Sequence, residues 1–179
     1  MRNDCCPEEN TVHGDNSPGT VADTEIVSRF VYSPSDIDNP DDPRTVKNSF
    51  IKTDELLPKD TTHLSCNRET HLDRDSARIQ SHCRKPQLAV WKARVAVEKL
   101  RKTKITHPTP GIPDAHVCVI DDPTDLTDCE NNDIQHMNRA HALIYLDGED
   151  VKSGHAKKLR TMLYKGIRGE DPLLTFEAV

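Results

Sequence analysis

Aromatic residues make up only 4% of this 179-residue chain, and Trp91 is the one tryptophan. A core without them must be assembled from Val, Leu, Ile and Ala, and is modest in size. Glycine is scarce too, with seven in all. No G-x-x-x-x-G-K-[ST] or G-x-G-x-x-G occurs, so phosphate-cradling loops and ATP-dependent chemistry find no support. H-E-x-x-H and G-x-S-x-G are absent as well. No stretch approaches the roughly 18 consecutive apolar residues of a membrane span. The opening "MRNDCCPEENTVHGDN" lacks the basic flank and apolar run of a secretory signal. These absences predict a cytoplasmic protein that needs no cofactor and no membrane. Its six cysteines are then expected mostly as reduced thiols.

What is present is polarity: 30% charged against 34% hydrophobic residues, with a net charge of −6. Five carboxylates against Arg2 place −4 of that charge in residues 1–24. This segment shows no apolar period and reads as a disordered acidic arm. Residues 25–179 then form a single domain, and their near-neutral balance gives no dominant nucleic-acid surface.

Order is expected from "EIVSRFVYS". Ile26, Ser28, Phe30 and Tyr32 alternate with Val27, Arg29 and Val31, so both faces carry apolar groups and the strand is interior. Pro34, Pro40 and Pro43 break it. Short strands are predicted at "TVKNSFIK" and "THLSCNR", and a helix capped by Asp73 follows. "KPQLAVWKARVAVEKLRKTK" predicts a long helix. Pro86 would sit in its first turn, with Ala89, Ala93, Ala96, Val97 and Leu100 at helical spacing. "AHVCVI" and "RAHALIYL" read as strands and "DDPTDLTDCENNDIQ" as an acidic loop. "SGHAKKLRTMLYKGI" reads as a helix ended by Gly166, and "PLLTFEA" as a closing strand. The order implies an α+β domain, a single mixed sheet with about two helices packed on it.

Four constellations are candidates for chemistry. "CNRETHLDRDSARIQSHC" holds Cys66, His71, His82 and Cys83. The C-x₄-H-x₁₀-H-C spacing departs from zinc-ligand pairs, and adjacent His82 and Cys83 diverge by about 100° on a helix, so no metal is assigned. In "DAHVCVIDD", His116 and Cys118 share one strand face, and His141 on a later strand could complete a pocket around an activated thiolate. A half-buried imidazole beside a core cysteine is the plainer reading. Acids spread over 121–133, with Asp114 nearby, could attract a hard cation, but the glycine of a cation loop is missing and a solvated loop is preferred. Last, Lys92, Lys99, Arg101 and Lys102 on the expected long helix, with the basic residues of the last helix, could form a plate for phosphates. No aromatic is interleaved for base stacking.

"VSRFVYSPSDI…VKNSFI" and "IPDAHVCVID" resemble a loose group of small bacterial proteins. Those open on a V-x-R-[FL]-[VL]-Y-x-P block and carry a later D-x-H-[AV] block before a short strand and a C-terminal helix. The likeness covers residues 26–51 and 110–165. It transfers no catalytic residue, and implies a compact accessory protein of a bacterial or phage gene cassette.

The sequence therefore favours a small accessory or adaptor protein acting by binding within a larger system. Its partner would be another protein, with nucleic acid contacted, if at all, through phosphates at Lys92, Lys99, Arg101 and Lys102. The alternative is a small hydrolase or transferase using a His/Cys site of His116, Cys118 and His141.

Overall fold

The computed structural model describes residues 6–52, 54–57, 63–148, 151–165 and 173–179. Its elements are β1 (Ile26–Ser33), β2 (Leu64–Arg68), α1 (Arg74–His82), β3 (Leu88–Ala96), α2 (Val97–Lys102), β4 (His116–Asp121), β5 (Thr124–Asp128), β6 (Ile134–Asn138), β7 (His141–Asp147), α3 (Ser153–Lys165) and β8 (Thr175–Ala178). Six strands form one sheet in the order β4-β7-β2-β1-β3-β8, and β5-β6 make a second, small one. The fold is α+β. Each strand pair is antiparallel, where a mixed single sheet was expected. No described helix is long and apolar enough to cross a membrane.

Directly opposed residues of a ladder share a face, so register assigns the two sides. Val27 opposes Val95 and Arg68, Val31 opposes Trp91, and Ile144 links Leu64 to Val119. The aliphatic members of this set carry the main core together with Val97 and Leu100 of α2 and Ala156, Leu159 and Leu163 of α3, with Trp91 packed against it. The α3 positions fall at the i, i+3, i+7 spacing of one helix face. Leu100 and Leu159 are fully buried, each worth about 1.5–3 kcal/mol of removed apolar surface. On the opposite face α1 lies against β3 and the β5-β6 hairpin. As expected, Asp73 caps α1, its carboxylate accepting from the Ser76 amide at 2.8 Å.

Several expectations are corrected. The stretch predicted as a long helix is β3 followed by the six-residue α2. Its alanines and valines satisfy two periods at once. Paired between β1 and β8, alternation wins: Ala93 and Val95 enter the core while Lys92 and Arg94 reach Glu177 and Glu69 on the other side. "TVKNSFIK" gives a bridge at Val46 and a 3-10 turn over Asn48–Phe50 instead of a strand. The acidic loop contains the β5-β6 hairpin. Its turn places Asn132 at φ 54° and Asp133 at φ 58°, a left-handed region that Asn and Asp tolerate better than other side chains. Gly166, the expected stop of α3, lies outside the described residues.

The cysteines also depart from the reduced state expected. Cys6 is disulfide-bonded to Cys118 and Cys83 to Cys129, while Cys66 is a buried free thiol. The first bond bears on residues 6–24, read from sequence as part of a disordered arm. They are irregular apart from a 3-10 turn at Pro7–Asn10, yet they lie on the sheet. Cys6 is fully buried with Cys118, Ile120 and Tyr145. Glu9 accepts from the amide of Val119 on edge strand β4 at 2.7 Å, covering part of an edge that would otherwise be open to pairing.

Candidate functional site

The His/Cys constellation does not assemble. Cys118 is fully buried and its sulfur is bonded to Cys6, so it offers no thiolate. His116 opposes Asp147 at one end of the β4-β7 ladder, whereas His141 opposes Asn67 beyond the other end, next to the Asp121–Ala142 pair. At about 3.3 Å per residue the two imidazoles start roughly 20 Å apart along the sheet. His141 is held by Asp122 instead, with Nδ1 3.0 Å from its carboxylate.

Nor do the four cations form a plate on one helix. Lys92 belongs to β3 and lies 3.8 Å from Glu177. Arg101 is nearly buried, ion-paired with Glu9 at 3.0 Å and Asp23 at 2.5 Å, and also donates to the Val21 and Val119 carbonyls. Its function is internal: it ties the N-terminal segment to α2. Lys102 pairs with Glu98, and Lys99 is exposed in the last turn of α2.

Cys66, His71, His82 and Cys83 are likewise not gathered. The Cys66 thiol donates to the Ala142 carbonyl inside the core, and Cys83 is joined to Cys129. The acids around 121–133 are divided among separate partners. Asp121 faces Arg68, Asp122 faces His141, and Asp128 is gripped by Arg78 and Asn131. The Arg78 hydrogen bonds hold the Asp128 carboxyl far below the usual carboxylate range. Among the described residues, Cys6, Glu9 and Cys118 alone cluster in a way that suits a metal, and there both sulfurs are already bonded to each other.

A different place does converge. β1 is paired with β2 only at Val27–Arg68 and Ser28–Asn67, although β1 continues to Ser33 and stays with β3 throughout. β2 meanwhile remains zipped to β7 back to Leu64. Beyond Ser28 the two central strands therefore separate. A bulge between Val31 and Tyr32 bends β1, and the Arg29 guanidinium donates to the Ser65 carbonyl at 3.1 Å, an acceptor that a neighbouring strand's amide would otherwise take.

The gap opens into a cleft of about 210 Å³ lined by Arg29, Glu55, His63, Ser65, Arg84 and His141. Its walls are held firmly. Arg29 lies over Phe50 at 5.5 Å and Arg84 over Tyr32 at 4.6 Å. Tyr32 donates its hydroxyl to the Gln80 carbonyl at 2.9 Å, and burial pushes its pKa up, so it stays a neutral donor. Asn67 and Gln80 exchange two amide hydrogen bonds of 2.9 and 3.0 Å, and Asn138 donates to Asn67. The His63 ring meets Tyr145 edge-on at 5.0 Å.

Two arginines, two histidines and one glutamate thus line the same small opening. Among the described residues, no nucleophile is prepared there. Cys66 borders the cleft, but burial pushes its thiol up to about 12. Ser65 Oγ has no hydrogen bond to either histidine among the described residues. These groups come from β1, β2, β7, the turn after α1 and the 3-10 turn at Asp54–Leu56. No local spacing announces them, and Arg29 in "VSRFVYSPS" is the one with a hint, a charged residue within an apolar interior strand. No family model matches the chain, nor does any curated protein or any solved structure.

Proposed function

We propose that this is a small accessory protein that acts by binding, and that the β1–β2 cleft is where it takes a small polar ligand. The observation that carries this reading is the convergence of Arg29, Arg84, His63 and His141 on an opening with no activated nucleophile. Convergent polar groups on rigid elements serve recognition, and the hydrolase or transferase alternative loses its sulfur to the Cys6–Cys118 bond. The resemblance to small bacterial accessory proteins agrees with this, and the partner system remains part of the proposal. Phosphate contact through the basic residues is less well supported, because Arg101 is engaged internally.

The two disulfides favour an oxidising working environment over the cytoplasmic one expected from composition. A filled cleft tests the binding reading. Ser65 is exposed on its strand, so Ser65→Trp should leave the circular dichroism spectrum unchanged. It should abolish the thermal shifts that members of a small polar-metabolite library produce with the native chain. Hits that persist undiminished in Ser65→Trp would move the site elsewhere.

A further inference from the structure

Resting on that reading of the cleft, we infer that its ligand is a small zwitterion of free amino-acid size, with its carboxylate directed to the guanidiniums and its ammonium to Glu55. Three observations lead there. First, size. The cleft of about 210 Å³ falls below the roughly 300 Å³ at which pockets begin to hold drug-sized molecules, which suits a ligand, or a ligand group, of amino-acid size.

Second, the cations have capacity to spare. Arg84 stacks on Tyr32 and has no carboxylate partner among the described residues. Arg29 gives one Nη1 bond to Ser65 and has further N–H groups to offer. Neither ring nitrogen of His63 is hydrogen-bonded to a described residue. A planar guanidinium matches a carboxylate in two-point geometry.

Third, and deciding between an anion and a zwitterion, is Glu55. Its Oε2 is buried with no hydrogen-bond donor among the described residues. The Arg29 Nη2 atom lies 3.7 Å away, close enough for attraction and too far for a hydrogen bond. A buried acceptor left unsatisfied is costly, and an incoming ammonium brings three donors to it. A simple anion would leave this oxygen unpaired and add a like charge beside it. The cleft thus carries a charge pair that does not close on itself, and a ligand with the complementary pair closes both halves.

The experiment is isothermal titration of the full, disulfide-intact chain with individual amino acids, alongside acetate, inorganic phosphate and ethylammonium. At least one amino acid should bind, about tenfold or more tighter than acetate or phosphate. N-acetylation of that same amino acid, which removes the ammonium without touching the protein, should weaken it by about tenfold. Glu55→Gln should weaken the amino acid by a similar factor and leave its N-acetyl form no weaker than before, whereas Arg84→Ala should weaken both. Acetate or phosphate binding as tightly as every amino acid would overturn the zwitterion. So would a bound amino acid indifferent to both N-acetylation and Glu55→Gln. If no amino acid binds at about 10 mM while another polar compound binds in a manner lost in Ser65→Trp, the zwitterion falls and the cleft stands. If nothing binds in a Ser65-sensitive manner, both fall.

Discussion

Replacing Arg68 by methionine keeps most of the stem's volume and removes the charge at the centre of a buried ionic cluster. The Arg68 side chain is 2% exposed, against 8% for Glu25 and 0% for Asp121. The guanidinium gives Glu25 two bonds of 2.7 Å, Asp121 one of 2.8 Å and the Gly19 carbonyl one of 2.6 Å. Arg68→Met therefore strands two buried carboxylates at once. Removing one partner of a buried pair costs about 3–5 kcal/mol, far more than an exposed pair returns. For a chain of this size that lowers the melting temperature by about 6–20 °C.

Urea unfolding at neutral pH measures this cost. The midpoint should fall with an unchanged m-value. The triple variant Arg68→Met, Glu25→Gln, Asp121→Asn should recover about half of the loss or more, since it removes the stranded charges. The pH dependence supplies a second check. Burial pushes the Glu25 carboxyl up, but the Arg68 hydrogen bond and the Ala22 amide outweigh it and hold it below its ordinary 4.5. A depressed carboxylate contributes stability that is complete above its unfolded pKa and lost as the pH falls through the folded one. The native chain's advantage over Arg68→Met should therefore shrink below about pH 4.5. A loss under about 1 kcal/mol at neutral pH, or an advantage that grows in acid, would refute the reasoning.

Three further outcomes are expected. Cys66, whose thiol burial pushes up to about 12, should resist iodoacetamide in the native chain at about pH 8 and react once unfolded, as mass spectrometry will read. Cys6→Ser opens a bond spanning 112 residues and should cost about 2–5 kcal/mol. Limited proteolysis of that variant should cut within residues 6–24, whereas the oxidised parent resists there, and identical digestion of the two would mean that the segment is held without the disulfide. Asp73→Ala removes the cap at the Ser76 amide and hydroxyl, at 2.8 and 2.9 Å, and should cost about 1 kcal/mol in urea unfolding.

Where the chain's chemistry acts over a few residues, the sequence by itself determined the outcome. β1 follows from apolar groups on both faces between an acidic segment and three prolines. Asp73 caps α1 because its carboxylate need only reach Ser76, three residues on. The stripe of Ala156, Leu159 and Leu163 makes α3 amphipathic before any neighbour is present. Tertiary structure decided the rest, because those choices lie between residues far apart in the chain. The segment from Leu88 to Lys102 carries both a helical and an alternating pattern, and the open edges of β1 and β8 on either side resolved it toward a strand. A polar, aperiodic start reads as a free arm until Cys118, Arg101 and the Val119 amide, all about a hundred residues away, bind it down. The cleft is the extreme case. It exists because two strands stop pairing after Ser28, and it collects its charges from five separate stretches of chain that no spacing relates.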